Sequence, residues 1–130
     1  MAFEGLMSKT SAHDVATTLD RLETILKEKG MGIFGRVDHA ANAEKAGLSM
    51  PATQVLIFGN PKAGTPLMLS APSMALDLPM KMLAAEADGK VTLSWTDPKH
   101  LKAVHQVQGC DEIFDAMSGA LDAIATAATS

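Results

Sequence analysis

The chain has 130 residues, with 47% hydrophobic and 20% charged side chains, and 11 Lys and Arg against 15 Asp and Glu give a formal charge of -4. That length suits one domain with one core, the composition excludes disordered and fibrous chains, and the acidic balance disfavours nucleic acid as a partner. The lone cysteine, Cys110, excludes an internal disulfide and a multi-cysteine metal site.

Met1–Thr10 has no basic start and no apolar run of secretory length, and the longest apolar run, Val55–Phe58, falls far short of the roughly 20 residues that cross a bilayer as a helix. A single cytoplasmic domain over 1–130 with no membrane partner is therefore expected.

Phe3–Lys9 alternates weakly and reads as a first strand. Ser11, with Asp14 three residues on, reads as the cap of a helix whose apolar stripe is Val15, Leu19, Leu22 and Leu26, closed by Gly30. Met31–Val37 reads as a strand, and Asp38 caps a short helix from His39 to Ala46 that stops at Gly47. Gln54–Gly59 holds the unbroken apolar run Val55–Phe58, so it is expected at the centre of the sheet with both faces covered. The loop Asn60–Pro66 follows, with Thr65 as cap and Pro66 at the first helical position. Met80, Met82 and Ala84 alternate along a strand, Asp88-Gly89 supplies a tight hairpin turn, and Lys90–Trp95 returns. Asp97-Pro98 starts a helix that runs toward Gly109, and a last helix from Asp111 carries the stripe Phe114, Met117, Leu121 and Ile124. This order predicts an α+β domain with a single mixed sheet of about five strands and helices packed against it in two layers.

The string Val55 to Met68, followed by Ala75-Leu76-Asp77-Leu78-Pro79 and Trp95-Thr96-Asp97-Pro98, resembles the family called domain of unknown function 302. Val37-Asp38-His39, Ala43, Gly47-Leu48 and His105 extend the likeness over Ser11–Val107. The resemblance implies a small α+β protein that associates as a homodimer, and it attaches no reaction. Trp95 stands where such sequences commonly place a tyrosine.

The loop from Gly59 to Thr65 leaves the carboxyl end of a central strand, a favoured place for ligands. Asn60, Lys62, Gly64 and Thr65 are the candidate binding residues: free amides from Gly64 to Leu67, the Thr65 hydroxyl and the Lys62 ammonium could hold a carboxylate or phosphate. The spacing of Gly59, Lys62 and Gly64 is not that of a nucleotide-binding loop, and the competing reading is a tight turn shaped by Asn60 and Gly64. His39, at a strand-to-helix junction, and His105 are candidate haem ligands or general bases, if the fold brings them together. Nine methionines, with Met68, Met74, Met80 and Met82 near the loop, read as core or as walls of an adaptable apolar pocket. No complete catalytic constellation and no metal motif can be read.

Three functions follow as expectations. The first is a module that binds a small anionic or planar ligand, haem among the candidates, in an apolar pocket beside the loop, with Phe58 and Phe34 as walls. The second is an enzyme using His39 as acid or base with Lys62 as an anion clamp. The third is a structural dimer paired through the stripe of the last helix.

Overall fold

The structure is a computed structural model that describes residues 4–130; Phe3, placed in the first strand by its pattern, lies outside them. The strands are β1 (Leu6–Ser11), β2 (Gly32–Asp38), β3 (Thr53–Gly59), β4 (Met80–Ala87) and β5 (Lys90–Thr96). The helices are α1 (Val15–Glu28), α2 (His39–Lys45), α3 (Pro61–Ser70), α4 (Pro98–Val104) and α5 (Asp111–Thr129), with a 3-10 helix at Pro72–Leu76. One sheet has the order β1-β5-β4-β3-β2, and each neighbouring pair is antiparallel. The α+β class and the five-stranded sheet agree with the sequence reading, but the sheet is antiparallel throughout rather than mixed. The links through α2 and α3 each leave and re-enter the sheet at one end, so neither is the crossover that a parallel pair needs.

Period-two alternation decides which face is buried. Leu56 and Phe58 in β3, Met80, Met82 and Ala84 in β4, and Val91, Leu93 and Trp95 in β5 face the core. Their neighbours Val55, Ile57, Leu83 and Ser94 are only half-buried, and Lys81 is exposed. β3 is therefore covered on one face, contrary to the expectation from its unbroken apolar run. The covering layer is α1, through Leu19, Leu22 and Leu26, and α5, through Phe114, Leu121, Ile124, Ala125 and Ala128. Each buried Leu or Phe stabilises the fold by about 1.5–3 kcal/mol before entropy is counted. Phe114, Leu121 and Ile124 keep at most 4% of their surface, so the stripe expected to join two subunits is spent on the protein's own sheet.

Arg36 fastens β2 to this layer. Its Nη1 donates to Asp20 at 2.7 Å and Glu23 at 2.9 Å, its Nε to Gln54 at 2.8 Å, and its Nη2 to the Ala16 carbonyl at 3.1 Å. Burial works against the guanidinium charge, yet the bonds to Asp20 and Glu23 outweigh it and hold the group above its ordinary value.

The local stops and starts follow their chemistry. Gly30, at φ +76°, ends α1, with Met31 N–H donating to Leu26 at 3.0 Å and Gly30 N–H to Lys27 at 3.0 Å. Asp88 and Gly89, at φ +53° and +76°, make the β4–β5 turn that needs two left-handed residues. Asp38 caps α2, and Asp97 with Pro98 starts α4. Two expected starts move. Asp14, not Ser11, caps α1, accepting from Thr17 N–H at 2.7 Å, while Ser11 ends β1 and bonds the Thr18 hydroxyl at 2.6 Å. Asn60, not Thr65, caps α3, with Pro61 in the first turn and Pro66 inside the helix. The Asn60 side chain meets the first free amide after the strand, so the second cap-and-proline pair is left within a helix already begun.

Three outcomes follow. A Cβ on Gly5 falls 2.4 Å from His100 Cγ at a φ of +81°, so Gly5→Ala lowers the melting temperature, with a backbone cost alone of about 1–2 kcal/mol. Adding His100→Ala relieves only the steric part in a thermal melt. Gly64 lies within α3 and a Cβ there makes an ordinary 3.6 Å contact with Leu78, so Gly64→Ala stabilises by about 0.5–1 kcal/mol in denaturant titration. The Thr17 amide holds the Asp14 carboxyl below its ordinary value. Its contribution is complete above the unfolded pKa and lost as pH falls through the lower folded one, so Asp14→Asn flattens the acid limb of the stability curve.

Candidate functional site

The layer formed by α1 and α5 does not reach the end of the sheet where β3 leaves it. There α3, the N-terminal half of α5 and the Leu78-Pro79 segment enclose a cavity of about 720 Å³. Its walls are apolar: Phe58 and Met80 from the sheet, Met68 from α3, and Ile113, Met117 and Leu121 from α5. Phe34 stands at the mouth. β2 shifts register between Ile33 and Gly35, and this bulge leaves Phe34 59% exposed. Its ring lies over Gly32 and Gly59, where an added Cβ would sit 3.6 Å and 3.5 Å from it. The flat glycine floor lets the ring lie along the strand end.

The predicted binding residues of the loop, Asn60, Lys62, Gly64 and Thr65, all line this cavity. The backbone does not form the predicted anion cradle. Lys62 N–H donates to Asn60 Oδ1 at 3.0 Å, and Ala63 and Gly64 N–H both donate to the Asn60 carbonyl at 3.0 Å. The tight strand-to-helix turn is present but is made by Asn60 alone, which joins Gly59 of β3 directly to Pro61 of α3, while Gly64 lies inside the helix. What stays available is the exposed Lys62 ammonium, which makes no ion pair among the described residues, and the exposed Thr65 hydroxyl. Glu112 lies on the same rim. Met31, Met68, Met80 and Met117 line the cavity, whereas Met74 and Met82 are core with no exposed surface.

His39 and His105 do not line it. His39 borders a second cavity of about 410 Å³ with Asp77, Lys81, Val55 and Leu83; those strand residues alternate out of step with the core, which places it over the uncovered face. His105 follows α4 and is held by Asp77, with Nε2 and Oδ2 2.5 Å apart, and by Ser73, with Nδ1 and Oγ 2.8 Å apart. Asp77 is thus common to both histidines' surroundings. The enzyme reading needed His39 and Lys62 together, and they border different cavities. Among the described residues no three His, Cys, Asp or Glu side chains are grouped to hold a metal ion. Cys110 caps α5 with a left-handed backbone and no side-chain bond.

The α5 wall is not evident from the sequence, where Met117 and Leu121 belong to the core stripe and neither Ile113 nor Ser73 stands out. The loop itself was found from its glycine and cap residues.

Comparison with known proteins places these features. The chain is 45% identical over 104 residues to the Fluoride-specific ion channel FluC 1 of Brucella suis biovar 1 (strain 1330), covering 79% of this chain and 41% of that protein. It is 45% identical over 104 residues to FluC 2 of Brucella melitensis biotype 1, covering 38% of that protein. The chain therefore spans well under half of these relatives. The crystal structure of an uncharacterized conserved protein DUF302 from Bacillus stearothermophilus superposes with a TM-score of 0.88 at 18% identity, over 98% of this chain and all of that one, which establishes the fold. Residues 7–124 match the family described as Domain of unknown function DUF302, and the chain, as its loop string and five-stranded sheet suggest, belongs to that family.

Proposed function

We propose that the chain is a binding module for an amphiphile with an apolar body and one carboxylate, such as a medium or long fatty acid. The observation that carries this reading is the cavity of about 720 Å³ with apolar walls and, among the described residues, a single unpaired cation, Lys62, on its rim. The volume lies within the range of small-molecule sites, and flexible methionines let the walls adapt to different chain lengths. With the loop amides engaged, Lys62 and the Thr65 hydroxyl are the groups that would meet the carboxylate.

Haem, the planar candidate, fits this cavity less well: neither His39 nor His105 borders it, and its soft ligands are methionine thioethers alone. The channel name belongs to the longer Brucella proteins. Fluoride, a small hard anion, does not match a methionine-lined cavity, and no described helix is long and apolar enough to cross a membrane. A homodimer and a cytoplasmic setting belong to the proposal too. The α5 stripe is not the surface for such a pairing.

Titration calorimetry of the full chain with dodecanoate, dodecylamine and haemin tests the reading. Dodecanoate is expected to bind with a Kd on the order of 10 μM, and Lys62→Glu to weaken it about tenfold, the worth of a charge-assisted hydrogen bond. Phe34→Ala, at an exposed position, is expected to weaken binding severalfold with little loss of stability. Equal binding of dodecylamine, or no binding of dodecanoate, overturns the proposal. A haemin Soret shift, read separately by absorbance and lost in both His39→Ala and His105→Ala, would move the site away from this cavity to those histidines.

A further inference from the structure

The contacts around His105 hold a nucleophile, a base and an orienting acid in sequence. Ser73 Oγ lies 2.8 Å from His105 Nδ1, and Asp77 Oδ2 lies 2.5 Å from His105 Nε2. An ionised carboxylate only accepts, so Asp77 draws the ring proton to Nε2 and leaves the Nδ1 lone pair facing the Ser73 hydroxyl. The His105 side chain is 7% exposed and Asp77 34% exposed, whereas Ser73 is open to solvent. A buried, oriented imidazole with a serine at its free nitrogen is the arrangement that activates a hydroxyl for attack, recognised by geometry and not by chain order.

The local fold holds the three in place. Ser73 and Asp77 sit within and just after the 3-10 helix Pro72–Leu76, and Asp77 N–H donates to Met74 at 3.0 Å. His105 is the C-cap of α4, its amide donating to Leu101 at 3.0 Å. Residues three apart eclipse in a 3-10 helix, so Leu76, 81% exposed, stands beside Ser73; Val104, 56% exposed, adjoins His105 in the chain. Uncovered apolar side chains next to the hydroxyl suit an apolar acyl group.

We propose that Ser73, His105 and Asp77 form a nucleophilic site that accepts the acyl group of uncharged, apolar esters. Ser73 Oγ bonds to the carbonyl carbon as its proton passes to His105 Nδ1. The bond to the leaving alcohol's oxygen breaks, and His105 returns the proton to that oxygen. Water then attacks the acyl-serine, its proton passes through Nδ1 to Ser73, and the carboxylic acid departs. Asp77 stabilises the imidazolium at both stages and keeps its own charge. This site is independent of the methionine-lined cavity.

The test uses the full chain with p-nitrophenyl butyrate and, separately, an alkyl fluorophosphonate. The expected result is p-nitrophenolate release that Ser73→Ala lowers at least about 100-fold, with one phosphonyl adduct mapped to Ser73. Asp77→Asn is expected to slow release by a similar factor while leaving the melting temperature within a few degrees of the parent. Because His105→Gln removes a buried ring and can unfold this corner, Ser73→Cys serves as the second variant: iodoacetamide is expected to alkylate the introduced thiol at least about tenfold faster than Cys110. Unchanged release in Ser73→Ala, an adduct at another residue, or equal alkylation of the two thiols overturns the proposal and leaves the three residues as a tie between the 3-10 helix and α4.

Discussion

Everything in this fold depends on a sheet that is covered on one face only. Because side chains alternate along each strand, burying Leu56, Phe58, Met82 and Leu93 beneath α1 and α5 necessarily turns Val55, Ile57, Lys81 and Leu83 the other way. A slip of one residue would exchange the two sets, so the register is held by the whole core. Two helices side by side cover the middle of the sheet but not its end. The cavity opens there, since the residues filling that end come from the less regular segment between β3 and β4. The one-sided arrangement thus creates both a packed core and a recess with partly exposed apolar walls.

The same constraint separates the two groups of chemically capable residues. The loop residues Asn60, Lys62, Gly64 and Thr65 border the recess on the helix-covered side, while His39, Asp77 and Lys81 border the uncovered face. Ser73, in the 3-10 helix between α3 and β4, and His105, between α4 and α5, meet beside Asp77. None of Ser73, Asp77 and His105 lines the recess, so a change at either group of residues leaves the lining of the other intact.

Features set by a few adjacent residues were legible in the sequence. The Asp88-Gly89 turn demands two left-handed residues, Gly30 closes α1, and Asp38 and Asp97 stand directly before helices, so each declares itself locally. The class of fold followed from the order of such signals. What was misread depends on residues far apart. The run Val55–Phe58 is apolar whether or not a second layer covers it, and only tertiary packing settles that. Thr65-Pro66 is as good a helix start as Asn60-Pro61, and the first to follow the strand prevails. The loop residues of the candidate site were found, but the anion cradle was not, since whether an amide is free depends on where the helix begins. Ser73 and His105 are 32 residues apart, and no periodicity announces that they meet.

The register shift at Phe34 has a consequence beyond the cavity mouth. β2 is an edge strand, and an unbroken edge offers amides and carbonyls to any passing extended chain. The extra residue interrupts that row and raises an aromatic ring beside it, which discourages strand-by-strand polymerisation. An interrupted margin of this kind closes one of the sheet's two sides to a neighbouring chain and leaves β1, whose register is unbroken, as the other.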